Sequence, residues 1–301
     1  MQRTNLRIAL STALLCLSFA GAHQTQAQDQ WSVVTAAIGR PGGLQSDSVM
    51  RFSFPRTDLN ITLDGTRLRP SFALGTWIAF KKLNGGAAMV MGDLVLTEKE
   101  VSAVMSSLLE SGLVMETALH NHLIGESPRV MYMHIHADGD ASHIATALRA
   151  ALAKSGTPIA AVTNPAGTVP IDLDTARIAR ILGFSGKAND GVYQVSVPRA
   201  ERIQMGPVEI PRSMGVSTAI NFQSTGNGTA AITGDFVLTA GEVPKVISAL
   251  RRNGITVTAL HNHMLVETPR LFFMHFWAKD DVVKLATGLR AALDAMDRER
   301  R

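Results

Sequence analysis

Two histidine phrases repeat along the chain. The first is Ala118-Leu119-His120-Asn121-His122, followed by Glu126, Pro128, Arg129, Met133 and His134. The second is Ala259-Leu260-His261-Asn262-His263, followed by Glu267, Pro269, Arg270, Met274 and His275, and every position matches at an offset of 141 (261 − 120). Seven of the nine histidines fall here, because His136 extends the first phrase. Imidazole is the commonest side-chain ligand for transition metals and titrates near neutral pH. Three neutral imidazoles with one open position make a catalytic type of zinc site, and they also suit copper, nickel or iron. The spacing assigns His120, His122, His134 and His136 to one metal cluster and His261, His263 and His275 to a second. Hydrogen-bonded histidines that merely fill a core are the bland alternative. The repeated carboxylate and third histidine favour the metal.

Glu126 and Glu267 complete a His-x-His-x3-Glu spacing in each phrase. They are the candidate bases for a metal-bound water if the protein is a metal-dependent hydrolase. Arg129 and Arg270 could hold an anionic substrate group by paired hydrogen bonds, or pair with the glutamates. Asp93 and Asp235 each follow a glycine. They read either as partners that orient a ligating histidine or as turn residues, and the turn reading is preferred. His136 is replaced by Trp277 in the second copy, so the copies are not equivalent. The same spacing resembles the first metal motif of cupins, but that nearly all-strand fold leaves no place for the helices below.

The elements that must position these residues are legible in both copies. Residues 88–96 read as a strand, and Thr97 with Glu100 forms a capping box that Thr239 and Glu242 repeat. Val101, Val104, Met105 and Leu108 then recur at helical spacing, with Gly112 as the stop. Residues 114–123 and 130–137 read as strands joined by a turn at 125–128. Asp140 caps a second helix with Ile144, Leu148 and Leu152 inward. Alternation places Met131, Met133, Ile135 and Ala137 under the helices, with Tyr132, His134 and His136 on the opposite face. Phe272, Met274, Phe276 and Ala278 do the same in the second copy. A hairpin centred near Ser127 sets His120 opposite His134. The fold class is therefore α+β: a tandem duplication of a strand-helix-strand-strand-helix unit, ferredoxin-like or related. Residues 49–54, 60–63 and 76–80 add strands.

Arg3 and Arg7 precede an apolar run at 8–20 and small residues, which reads as a secretory signal peptide over residues 1–27. The first unit then spans 28–155, a Gly- and Pro-rich linker 156–170, and the second unit 171–301. The only cysteine, Cys16, falls in the signal, so metal ligands after it must be histidine or carboxylate. The chain carries 29 Lys+Arg against 25 Asp+Glu. With no basic stripe interleaved with aromatics, nucleic acid is not an expected partner, and no later stretch is long and uncharged enough to span a bilayer.

The phrase Ala-Leu-His-Asn-His, then Glu-(Ser/Thr)-Pro-Arg and Met-His, resembles that of the LppY/LpqO family of exported bacterial proteins. The resemblance covers most of both repeats and implies an envelope protein without assigning it a chemistry. Named members look like lipoproteins, whereas here Leu15 stands where an acylated Cys16 would need a small residue. The expectation is an exported, periplasmic or secreted, metal-binding protein, with zinc the first choice. A metal-dependent envelope hydrolase acting on a small-molecule or cell-envelope ligand is the second reading. A non-catalytic structural or cell-wall interaction protein is the third.

Overall fold

The computed structural model describes residues 31–160 and 169–298. The segment read as a signal, with Cys16, and part of the linker lie outside these residues. The first repeat runs α1 (Ser32–Ile38), β1 (Gly43–Leu44), β2 (Met50–Pro55), β3 (Thr62–Leu63), β4 (Thr66–Arg67), β5 (Gly75–Lys82), β6 (Ala87–Thr97), α2 (Glu98–Ser111), β7 (Met115–His120), β8 (Val130–Asp140) and α3 (Ala141–Leu152). The second runs α4 (Thr175–Leu182), β9 (Gly186–Asn189), β10 (Val192–Pro198), β11 (Gln204–Met205), β12 (Val208–Glu209), β13 (Ser217–Gly226), β14 (Thr229–Leu238), α5 (Val243–Arg252), β15 (Thr256–His261), β16 (Glu267–Thr268), β17 (Phe272–Asp281) and α6 (Val282–Leu293).

Each repeat builds one six-stranded sheet. The orders are β1-β2-β5-β6-β8-β7 and, strand for strand, β9-β10-β13-β14-β17-β15. Each strand is antiparallel to its neighbours. β6, α2 and β7 straddle β8, which is the split unit expected. The place beside β6, where a ferredoxin-like unit would put its last strand, is taken by β5 from earlier in the chain.

Local chemistry fixes the helix starts. Thr97 and Glu100 form the capping box of α2, and Gly112 ends the helix in the left-handed conformation at φ 64°. The second copy differs. Thr239 still donates to Glu242 through its backbone N–H and its hydroxyl, but α5 begins only at Val243, with Pro244 in its first turn and Glu242 as the cap. Proline suits that place because its missing N–H would be unpaired there anyway. Both glutamates are also held by a buried arginine. Arg56 donates to Glu100, Asp58 and the Val95 carbonyl; Arg199 donates to Glu242, Glu201 and the Val237 carbonyl.

The strand alternation holds. Met133, Ile135 and Ala137 pack with Val104, Leu108, Ile144 and Leu148 under the helices. Met274, Phe276 and Ala278 pack likewise with Val246, Leu250, Leu285 and Leu289. Met131 and Phe272, at the strand starts, are only half-buried. The hairpin register is shifted from the expected one: Ala118 faces His134 and His120 faces Tyr132. The connection at 121–129 is a long loop rather than a tight turn, so it slides the pairing by two residues. An even slide leaves every side chain on its expected face.

β6 is buried from Ala88 to Leu96 on both faces, so its sheet needs cover on two sides. The second cover is the other repeat. Ala79, Met89 and Met91 pack with Met214, Val237, Met264 and Phe273, and Val95, Val130 and Tyr132 pack with Val192, Ala231 and Trp277. The molecule is thus four layers, helices–sheet–sheet–helices, with the inner sheet faces in contact. Crossing hydrogen bonds pin them: Gln223 donates to the Arg67 carbonyl at 2.8 Å and accepts from the Arg69 N–H at 3.0 Å.

Candidate metal centre

The histidines of both phrases meet between the two sheets. Thr117 and Thr258 sit at matching bulges in β7 and β15. The Thr117 hydroxyl donates to the His263 carbonyl at 2.5 Å, and the Thr258 hydroxyl donates to the His122 carbonyl at 2.6 Å. The rings follow the same exchange. His122 stacks on His275 with centroids 3.6 Å apart, His134 stacks on His263 at 3.6 Å, and His120 stacks on its own counterpart His261 at 3.5 Å. Each of these contacts has a twin with the repeats exchanged, so the cluster lies on a pseudo-two-fold axis. Tyr132 and Phe273 close the ends, each 3.4 Å from a histidine ring, His122 and His263 respectively.

Four sets of potential ligand atoms converge to within 4.8 Å of one another: His120, His122, His261 and His275; His134, His261 and His263; Asp93, His122 and His134; Asp235, His263 and His275. Two of the sets mix the repeats, so the two clusters form one composite centre. His120, His122, His134, His261, His263 and His275 are all brought together.

His136 is not. It lies on the expected face, but its Nε2 is 2.7 Å from Asp138 Oδ2, away from the converging groups. Trp277, its counterpart, donates to Asp64 at 2.6 Å. Glu126 and Glu267 are also outside the converging sets. They close the loops behind the histidines: Glu126 Oε1 accepts from Asn121 Nδ2 and the Val130 N–H, and Glu267 Oε1 accepts from the Leu271 N–H. Asn121 and Asn262 span the same loops by donating to the Val130 and Leu271 carbonyls, each at 2.6 Å. Arg129 is exposed. Arg270 donates to the Leu265 carbonyl at 2.8 Å and to Glu267 at 3.3 Å, so it too serves its loop.

The carboxylates at the centre are instead Asp93 and Asp235. They stand inside β6 and β14, directly across from His134 and His275, and are not turn residues. Asp93 Oδ2 lies 3.9 Å from His122 Nε2, and Asp235 Oδ2 lies 3.6 Å from His263 Nε2. The duplicated Gly-Asp pair was the available signal. The glycines have their own reason: a Cβ on Gly92 would sit 2.8 Å from the Trp77 carbonyl oxygen, and one on Gly234 would sit 2.0 Å from that of Ala219. The Gly234 carbonyl is 2.8 Å from His275 Nδ1, and the Gly92 backbone holds His134 in the same way. A ring fixed through Nδ1 leaves Nε2 as the free ligand atom, the usual outer arrangement of a metal-binding histidine.

Electrostatics favour ligand-ready imidazoles. Burial pushes His120 down to about 4, and burial with the neighbouring His120 ring pushes His275 down to about 3. Burial and the surrounding rings also lower His122, His134 and His263 well below the usual imidazole range. Burial raises the Asp93 carboxyl to about 8 against the pull of Arg51, and raises Asp235 well above the usual carboxylate range. Ten buried atoms of the centre have no hydrogen-bond partner among the described residues: both nitrogens of His120 and His261, Nε2 of His122, His134, His263 and His275, and Oδ1 of Asp93 and Asp235. Buried polar atoms are otherwise nearly always paired. Eight converging residues with such exceptions fit a metal centre that takes one lone pair from each.

Comparison with known proteins yields a family and little more. A family model described as "Domain of Unknown Function (DUF1259)" matches residues 32–154 and again 176–295. No curated protein matches the chain. Among solved structures, it is similar to the double ringed trimeric shell protein of the RMM microcompartment at 12% identity, covering 73% of this chain and 89% of that one, with a TM-score of 0.20. A second is the trimeric bacterial microcompartment shell protein PduB, at 12% identity, 84% and 89% coverage and a TM-score of 0.21.

Proposed function

Because the chain belongs to the family described as Domain of Unknown Function (DUF1259), whose description names no chemistry, we propose its function from the site: it binds a transition metal in the histidine and aspartate centre between its repeats, with zinc the expected ion. The convergence of eight residues, each with a buried and unpaired polar atom, carries this reading. Six imidazoles and two carboxylates form a borderline donor set that suits zinc, copper, nickel or iron. They do not suit calcium or magnesium, which take oxygen ligands. Asp93 and Asp235, rather than Glu126 and Glu267, are the carboxylates of the proposed centre.

We place this activity outside the cytoplasm. That part of the proposal rests on the basic and apolar N-terminal segment and on the LppY/LpqO-like phrase. No helix among the described residues is long and apolar enough to cross a membrane.

The test is elemental analysis of full-length protein purified without a histidine tag, beside the double variant His122→Ala/His263→Ala. Stoichiometric zinc or another transition metal is expected in the parent and none in the variant. A metal-free parent that also takes up none on titration, or a variant that keeps its full metal content, overturns the proposal.

A further inference from the structure

The number and sharing of the ions can be read from the same centre, and this step rests on the metal reading above. Exchanging the repeats turns Asp93/His122/His134 into Asp235/His263/His275, and both sets converge. It turns His120/His122/His261/His275 into a set that contains His134/His261/His263, which also converges. No set maps onto itself. An ion taking any one of them therefore has a twin position of the same chemistry. The donor count agrees: six histidines and two aspartates make eight ligands, and a zinc-like ion held by nitrogen and oxygen takes about four. A single ion would leave half of these buried donors unpaired, the situation proteins avoid.

The converging sets also show which ligands belong together. The two sets made of histidines alone join different repeats: His122 with His275, beside His120 and His261, and His134 with His263, beside His261. Within one repeat, His122 and His134 converge only in company with Asp93, and His263 and His275 only in company with Asp235. We infer that the chain holds two transition-metal ions as a pair, one ligated by His122 and His275 and the other by His134 and His263. His120, His261 and the two aspartates complete both. Neither repeat holds an ion from its own residues alone.

Cobalt(II) titration of chelator-stripped, full-length, tag-free protein tests this, followed by visible absorption and by metal analysis after desalting. The parent is expected to take two equivalents. Two double variants then cross over. His122→Ala/His275→Ala removes one residue from each repeat but both from one ion, so one equivalent should remain. His122→Ala/His134→Ala removes two residues from one repeat but one from each ion, so neither ion should be held stoichiometrically. The reverse pattern would mean that each repeat binds its own ion, and would overturn the sharing. One equivalent in the parent overturns the pair and leaves the metal reading intact, whereas none overturns both. Circular dichroism checks each fold, and glutamine replaces alanine wherever an alanine variant unfolds.

Discussion

His120 and His261 lie ring on ring, with centroids 3.5 Å apart and planes 28° apart, although they come from different repeats. All four of their ring nitrogens are buried and unpaired among the described residues. Two imidazolium rings could not share such a place, and burial lowers the pKa of both, so the fold needs them neutral.

That requirement gives the metal-free protein an acid limit. His120 and His275 titrate near 4 and 3 in the fold, against about 6.5 in an unfolded chain. A folded pKa below the unfolded one means that the unfolded state takes up protons first as pH falls. Stability from these groups is complete above pH about 6.5 and is lost progressively toward pH 4. Thermal melts of chelated protein should show a Tm that falls steeply from pH 6.5 to 5. A Tm unchanged across that lower range would contradict neutral burial of the cluster.

Asp93 sets an opposite limit. Its folded pKa of about 8 lies above its unfolded value, so the fold keeps a proton that the unfolded chain releases. Its contribution is present below pH about 4 and is lost as pH rises through 8. Asp93→Asn, which cannot ionise, should therefore raise the Tm of the metal-free protein at pH 8 more than at pH 5. Each kcal/mol corresponds to roughly 2–4 °C in a chain of this size. The same variant should bind metal more weakly, because an amide is a poorer ligand than a carboxylate. A lower Tm at pH 8 would show that the carboxylate is satisfied by something other than an ion.

The crossed threonine bonds should be separable from the ligands. Thr117→Val and Thr258→Val each remove one hydroxyl donor between the repeats. A loss of about 0.5–1.5 kcal/mol apiece is expected in denaturant unfolding. Because each bond ends on the backbone of a ligating histidine, metal affinity should fall in both variants while the stoichiometry stays unchanged. Valine variants that match the parent in both measurements would show that the repeats do not need these bonds.

Arg56 and Arg199 should behave differently. Each is buried and satisfies a glutamate at a helix start. Arg56→Met or Arg199→Met removes the counter-charge of a largely buried carboxylate, a change of about 3–5 kcal/mol. Differential scanning should show a drop in Tm of roughly 6–20 °C, with the metal content of the folded fraction unaltered. Metal loss in folded protein would tie these arginines to the centre itself.

The sequence was most informative where local rules act alone. Thr97, Glu100 and Gly112 define α2 because capping needs only neighbours, and the alternation of β8 set its faces because side chains there have only two directions. Pro244 and Gly241 delay α5, which a reading built on Thr239 and Glu242 could not weigh. The loop after His120 hid more. Asn121 and Glu126 consume each other and the Val130 backbone, so a glutamate at ligand-like spacing is a loop brace. His136 has the right face and a nearer carboxylate, Asp138. Asp93 became visible only through pairing, since its neighbour His134 lies 41 residues on (134 − 93). The meeting of the phrases depended on how two sheets pack, although the apolar run of β6 on both faces already called for a second cover.

The axis through His120 and His261 has a historical consequence. An isologous contact, in which the same patch serves both sides, is what two identical chains make when they form a dimer. Here one polypeptide makes it with itself, so the descendants of a single ancestral domain are tethered and free to drift apart. They have kept identity at the six histidines and spent their freedom at the margin, where His136 faces Asp138 in one half and Trp277 faces Asp64 in the other. A homologue consisting of one such domain would have to associate in pairs to assemble the same centre.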